Sequence, residues 1–433
     1  MKILFLSDNF PPEVNAPASR TYEHCRYWAR LGHEVTVLTC APNFPKGRVF
    51  PGYKNRFWHS ETVDGVRVVR VWSYITANQG FLRRTLDYLS YMLSAIVATP
   101  FLPRPDVVIA TSPQFFAACA GYVISRLRRV PFVFELRDLW PESIKAVGVM
   151  KQSLLVRMLE RIELFLYRKA SGIVSVTSSF RTRLGERGID TSKIQVVTNG
   201  VDLSRFGPRP KDRELSKALG LDGKFVVGYV GTLGLAHGLE TVLEAAEAVA
   251  RAPDGDRFRF VFLGDGASKQ KLVTTARDRG LDNVLFLDTV AKDQVARYWS
   301  LLDASVIHLR KNELFEGVIP SKLFECMGMG IPVLHGVPGE SAAIVATEGV
   351  GLVFESGEAG QLAAAIQRIG SDAQLREALR AACVRAAPKY EREQLAQKML
   401  GFIAGLVQLV EGPSRQEPAS NELMLADVAD SER

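Results

Sequence analysis

The chain has 433 residues, 47% of them hydrophobic and 23% charged, with a formal net charge of +7. It is ordinary globular material, too long for one compact core, and two domains of roughly 200 residues are expected. Residues 1–200 hold 27 Lys/Arg against 15 Asp/Glu and the remainder 27 against 32, so a polyanionic or membrane-surface partner should dock on the N-terminal half. Nucleic acid is not expected, because the basic residues are not interleaved with aromatics in a recognisable module. Five scattered cysteines without C-x-x-C spacing, and six histidines without ligand spacing, argue against a disulfide framework and a zinc site and fit a reducing cytoplasm. Met1–Leu6 is too short for a signal peptide and is broken by Asp8 and Pro11-Pro12.

Lys2–Ser7 reads as a first buried strand, followed by a loop over Asp8–Ala18. A helix is expected from about Ser19 to Leu31, ending at Gly32-His33, and Val35–Thr39 is the second strand. Tyr88–Pro103 runs sixteen residues without a charge between Arg83-Arg84 and Arg104. That is short of the roughly 20 apolar residues of a spanning helix. Tyr88, Ser90, Tyr91 and Ser94 suit an interfacial helix, and a buried helix of the first domain satisfies the same residues. Arg126, Arg128, Arg129 and the amphipathic run Leu154–Lys169 add positive charge nearby.

Strands are also expected at Asp106–Thr111, Phe132–Glu135, Gly172–Thr177 and Ile194–Val197, with helical patterns between several of them. Such alternation builds a parallel sheet covered on both faces. The pattern restarts after the turn-forming Asn199-Gly200-Val201-Asp202, with strands at Phe225–Val230, Phe258–Leu263, Val284–Leu287, Ala304–His308, Pro332–Leu334 and Gly351–Phe354. The expected fold class is therefore α/β, with two doubly wound parallel-sheet domains, 1–200 and 201–387. Ligand would lie in the cleft at the carboxyl ends of the strands. The acidic, polar tail 411–433 is expected to be disordered.

Two segments carry chemistry. In Phe315–Pro332, Pro320-Ser321 favours a first helical turn, Lys322 and Glu325 share one face, and Gly328, Gly330 and Pro332 stop the helix. A helix N-terminus beside a cation and a carboxylate suits a phosphate attached to something rich in hydroxyls. A surface helix with one exposed Lys–Glu pair would carry the same residues. In Val226–Glu240, a strand enters a loop with Gly231, Gly234 and Gly238, then a helical pattern over Leu239–Val249. Glycines there let a backbone approach a diphosphate, although a plain strand-to-helix bend needs them too. The loop fits neither G-x-G-x-x-G nor the P-loop.

Together the motifs are more specific. Gly231-Thr-Leu-Gly-Leu-Ala-His-Gly238, Phe262-Leu-Gly-Asp-Gly266, Pro320-Ser-Lys-Leu-Phe-Glu325 and Gly330-Ile-Pro-Val333 stand in an order and spacing that resemble glycosyltransferase family 4. Phe10-Pro-Pro-Glu13, Leu31-Gly-His-Glu-Val-Thr-Val-Leu-Thr39 and Asn199-Gly-Val-Asp202 agree, and the resemblance spans roughly residues 1–405. Phe134-Glu-Leu-Arg-Asp-Leu-Trp-Pro-Glu142 resembles the bacterial surface-polysaccharide subgroup that includes fucosamine-type aminosugar transferases. The resemblance implies a GT-B fold, whose two facing Rossmann-like domains bind acceptor and nucleotide sugar, with a helix over about 388–410 packing back on the first domain. It implies transfer with retention and without metal or other cofactor, from a UDP-linked N-acetylated aminosugar to a polyprenyl-diphosphate-linked saccharide. The place of action would be the cytoplasmic, inner face of the cell membrane, with the protein bound peripherally. A nucleotide-sugar 2-epimerase and a non-catalytic nucleotide-sugar-binding subunit are the other readings.

By residue, the resemblance implies that Glu325 accepts from the two ribose hydroxyls. A second glutamate, eight positions earlier in many members, is replaced by Gly317, with Glu316 one residue off. The arginine and lysine that usually face the diphosphate are replaced by Thr232 and His237, in the loop of Gly231 and Gly234. A departing nucleoside diphosphate needs charge stabilisation, so Lys322 is the expected source, with Arg310 or Lys311 in reserve. Asn15-Ala16 replaces a glycine pair. Asn15 could supply an amide and Arg20 a charge, or they are a turn residue and a solvated helix residue. Arg137-Asp138 stands where many relatives place His-Asp beside the reacting sugar. Asp138 could take a proton or orient the acceptor, with Glu142 the second candidate, or Arg137 pairs with Asp138 or Glu142 structurally. Trp140-Pro141 could pack on a sugar face. Asp254-Gly255-Asp256 spells a metal-binding triplet but falls between a helix and a strand, so it reads as a turn.

Overall fold

A computed structural model describes residues 1–44, 46–76, 81–112, 114–139, 154–291 and 293–411; Trp140, Pro141, Glu142 and the acidic tail beyond Glu411 lie outside them. The first half forms strands β1 (Lys2–Leu6), β2 (Glu34–Cys40), β3 (His59–Val63), β4 (Val66–Val71), β5 (Val107–Thr111), β6 (Phe132–Leu136), β7 (Gly172–Ser175) and β8 (Ile194–Val196). They are ordered β3-β4-β2-β1-β5-β6-β7-β8, parallel except for the β3–β4 pair. The second half forms β9 (Phe225–Val230), β10 (Phe258–Leu263), β11 (Val284–Leu287), β12 (Ala304–His308), β13 (Val333–Gly336) and β14 (Gly351–Val353), in the order β11-β10-β9-β12-β13-β14, all parallel. Every residue of β5, β6 and β12 is buried, as runs covered by helices on both faces must be. The winding reverses at β1/β5 and at β9/β12, which opens a crevice at the carboxyl end of each sheet.

The expected two-domain α/β fold is present, with local differences. The first helix begins at Ala16, three residues before its expected start, because Asn15 Oδ1 accepts from the Ala18 N–H and Pro17 pre-sets the first turn. The Lys322–Met329 helix runs through Gly328, where a Cβ would come within 2.6 Å of Phe206 O, and stops at Gly330. The β3–β4 hairpin was not among the expected elements. Its turn is Asp64-Gly65, with φ of 46° and 83°, the two positive values that match the twist of a two-residue hairpin.

The last helix, Arg392–Glu411, lies on the first domain. Its Leu395, Met399 and Ile403 share a core with Ile3, Phe5 and Val35, and Trp28 Nε1 donates to Ala396 O at 2.9 Å. The chain thus passes between the domains twice, and the passages are bonded to each other. Val201 N–H donates to Tyr390 O at 2.9 Å and Arg392 N–H to Val201 O at 3.0 Å.

Candidate active site

The floor is made by two loops pressed together. β9 is followed by Gly231 (φ 133°) and β10 by Gly264 (φ 149°), where a Cβ would lie 2.0 Å from Gly231 O. Only glycine permits that contact. Gly231 N–H donates to Leu263 O and Leu233 N–H to Asp265 O, both at 2.9 Å. The chain then turns through Leu235–His237 into the Glu240–Ala250 helix.

Lys322, at the start of its helix, reaches under this floor. Its Nζ lies 3.7 Å from the centre of the Tyr229 ring and 3.1 Å from where a Cβ of Gly231 would stand. The Nζ is buried and, among the described residues, has no hydrogen-bond partner. Burial lowers its pKa to about 8, although the neighbouring Cys326 and Glu325 pull the other way. A buried ammonium resting only on a ring face is short of negative charge, which a phosphate would supply. His237 cannot share that task as a cation. Burial, and then the Lys322 charge, take its pKa down to about 4, and its Nδ1 is likewise buried without a partner among the described residues. His308 supports the loop from behind: its Nε2 accepts from the Gly357 N–H at 3.0 Å, so its Nδ1 carries the proton and donates to His237 O at 2.7 Å.

The opposite wall belongs to the first domain. Arg20 Nε donates to Glu135 Oε1 at 2.9 Å, and its other nitrogens to Thr198 O at 2.7 Å and Val197 O at 2.9 Å. Arg20 therefore ties the first helix to the strand end before the domain junction. Burial alone would raise the Glu135 carboxyl; Arg20, then Arg137, outweigh it and hold it below its ordinary value. Burial lowers Arg137 to about 10 against the pull of Glu135. His24 is driven far below its ordinary value by burial and then by Arg20, Arg137 and Arg392. Arg392 itself bonds Gly200 O at 2.9 Å and pairs with Glu23.

Between the walls lies a cavity of about 790 Å³, into which Asn15, Arg20 and Arg137 project from one side and Gly231, Thr232, His237, Lys322 and Glu325 from the other. Asn15 spends its side chain on the helix cap and on Asn9 Oδ1 at 2.9 Å. Gly234, Asp138 and Glu316 do not line the cavity, and Glu142 lies outside the described residues. The Asp138 backbone is held by the Ser112 hydroxyl, whose oxygen accepts its N–H at 3.2 Å. Arg310, one of the reserve cations, is exposed and paired with Glu240 at 3.3 Å. Sequence reasoning missed His24, Arg205 and Arg392 in the lining, and no local motif marks them. Among the described residues no group of three His, Cys, Asp or Glu could hold a metal ion. In the 254–256 stretch, Asp254 pairs with Arg257 at 3.5 Å and Asp256 O accepts from Lys224 Nζ at 2.8 Å.

The position of the missing glutamate has a structural explanation. Gly317 abuts the other domain, where its Cβ would come 3.1 Å from Phe180 Cε1 and 3.3 Å from Ser179 Cβ. Beside it, Glu340 accepts from the Ser178 and Ser179 N–H groups at 2.9 and 2.8 Å and from Ser179 Oγ at 2.8 Å, at the N-terminus of the Ser178–Glu186 helix. Glu340→Ala is expected to weaken this domain contact by about 1–3 kcal/mol. Small-angle scattering should then show a more open molecule, with KM raised more than kcat is lowered.

Residues 15–200 match the family described as a glycosyl transferase 4-like domain, and residues 211–387 the one described as glycosyl transferases group 1. The chain belongs to the GT-B glycosyltransferases of family-4 type. It is 25% identical over 340 residues to the putative colanic acid biosynthesis glycosyl transferase WcaI of Escherichia coli, covering 76% of this chain and 82% of that protein. It is also 25% identical over 361 residues to a GDP-mannose-dependent alpha-mannosyltransferase of Mycobacterium tuberculosis, covering 83% of this chain and 85% of that one. Among solved structures, Anabaena Alr3699/HepE in complex with UDP superposes with a TM-score of 0.68 at 18% identity, over 94% of this chain and all of that one, a likeness of fold.

Proposed function

We propose that this glycosyltransferase moves a sugar, with retention, from a UDP-linked donor to a polyprenyl-diphosphate-linked saccharide in bacterial surface-polysaccharide synthesis, working at the inner face of the cell membrane. The observation that carries the donor part is the Lys322 Nζ beneath Gly231, buried and without a hydrogen-bond partner among the described residues. The bond from the anomeric carbon to the phosphate oxygen breaks, the bond to the acceptor oxygen forms, and the proton of the acceptor hydroxyl passes to the released phosphate oxygen. The charge left on the nucleoside diphosphate falls to Lys322, with Thr232 and the neutral His237 beside it. Glu325, one turn further along the same helix, takes the ribose diol. Arg137 is the member of the Arg137-Asp138 pair that reaches the cavity. Asp138 is assigned to the acceptor side, without a contact to the cavity.

UDP is favoured by the HepE complex and a surface-polysaccharide role by WcaI. The GDP-mannose-dependent relative makes GDP the base to test against it. The N-acetylated aminosugar rests on the resemblance around Phe134–Glu142. In a thermal-shift series, UDP at a hundred times its Kd should stabilise the enzyme by about 2.7 kcal/mol and GDP by less. Donor sugars are then offered with and without lipid-linked acceptor. Conversion of donor without acceptor would mark an epimerase, and binding without turnover under any condition a non-catalytic subunit.

A further inference from the structure

Three helices, Phe81–Ala98, Phe115–Arg128 and Leu154–Lys169, cover one face of the first sheet side by side. Their inner sides are spent on the core through Tyr91, Ala95, Ile124, Leu159 and Leu166. Their outer sides are not polar. Leu86, Leu93, Val97, Leu127 and Met158, with Phe101 in the turn just after the first of these helices, are between 47% and 71% exposed, an apolar content that a water-facing helix layer has no reason to keep. Trp58 joins the patch, edge-on to Phe101 at 6.2 Å.

Among the described residues, the exposed charges of the three helices have one sign. Among the described residues of the three helices, Arg83, Arg126, Arg157, Arg161, Arg168 and Lys169 are exposed. Of the acidic side chains, Asp87 and Glu160 are half-buried, and Glu163 is buried against Arg187 at 2.8 Å and Tyr167 at 2.7 Å. No helix among the described residues is long and apolar enough to cross a membrane. A second copy of this face would set six cations against six. A surface of anionic lipid headgroups answers both features, with phosphates for the cations and acyl chains for the aliphatic ridge.

We propose that the outer face of these three helices is where the enzyme lies on an anionic membrane. The proposal deepens the reading that the acceptor is lipid-linked, and it fixes which side of the first domain meets the bilayer. Co-flotation tests it, with vesicles of phosphatidylcholine containing phosphatidylglycerol against phosphatidylcholine alone, at low and high salt. The full chain should float with the anionic vesicles at low salt, and the neutral replacements Arg126→Gln, Arg157→Gln and Arg161→Gln should each weaken binding about fivefold, the equivalent of about 1 kcal/mol. Leu93→Asp with Val97→Asp should weaken it at least about tenfold. These side chains point away from the core, so the UDP-induced thermal shift should stay unchanged in every variant. Failure to float, equal binding to neutral vesicles, or variants that float like the parent would overturn the proposal. So would sedimentation that finds a dimer dissolved by the Leu93/Val97 change. Flotation without any shift by UDP or GDP would leave the docking face standing and remove the transfer reading.

Discussion

Replacing Lys322 with alanine is expected to lower turnover by about two to three orders of magnitude while the protein keeps its fold. The two halves of that expectation have one cause. The Nζ is buried on the Tyr229 ring with no hydrogen-bond partner among the described residues, so in the ligand-free protein its charge is a cost. Removing it should leave thermal stability equal or slightly higher, and only the ligand-bound and reacting states should suffer. Arginine is not expected to rescue, because Nζ already stands 3.1 Å from the Cβ position of Gly231 and the larger guanidinium has no room. Near-normal turnover in the alanine variant would take Lys322 out of the mechanism.

The same lysine sets a pH dependence. Its ligand-free pKa is lowered to about 8, whereas a bound diphosphate would raise it again. Below pH 8 the ammonium is already present and the Kd for UDP should be flat. Above pH 8 binding must take up a proton, and the Kd should rise towards tenfold per pH unit until the pKa of the complex is reached. His237, at about 4, stays neutral throughout and adds no slope. Calorimetry between pH 7 and 9.5 should show the bend in the parent enzyme and its absence in Lys322→Ala.

The second large effect is on stability. Arg20→Ala is expected to cost about 3 kcal/mol, at the low end for breaking a buried ion pair, because Arg137 still acts on the abandoned Glu135. It also removes the donors to Val197 O and Thr198 O. Denaturant unfolding followed by fluorescence measures it; a loss below about 0.5 kcal/mol would mean that the pair contributes nothing net. Arg20→Lys should recover only part, since one ammonium cannot span three acceptors held by a planar fork.

Much of the architecture is legible in the residues. β9, β10, β11 and β12 have the expected limits, because runs such as Phe225–Val230 are apolar throughout and bounded by turn residues. The β3–β4 hairpin is not among the expected elements, although Asp64-Gly65 between alternating residues is its signature. Pro17 misled in the opposite direction. Read as a loop residue, it belongs to the first turn of a helix. In the site, Lys322 and Glu325 are visible because one short helix carries both. Arg20, Arg137 and Arg392 come together only through the sheet order and the returning helix, which no local pattern reveals. Gly317 shows the same limit. As a letter it is only a lost glutamate, and Phe180 and Ser179 beside it are known from the fold alone.

The returning helix also bears on how the enzyme is made. Leu395, Met399 and Ile403 complete the core around Ile3 and Phe5, and they are among the last parts of the described chain to leave the ribosome. The second domain, by contrast, has its whole sheet between residues 225 and 353 and can close earlier. The domain synthesised first is therefore the one finished last, holding an open apolar seam beside Trp28 until the final helix arrives. A chain cut at residue 391 should lose the first domain and spare the second.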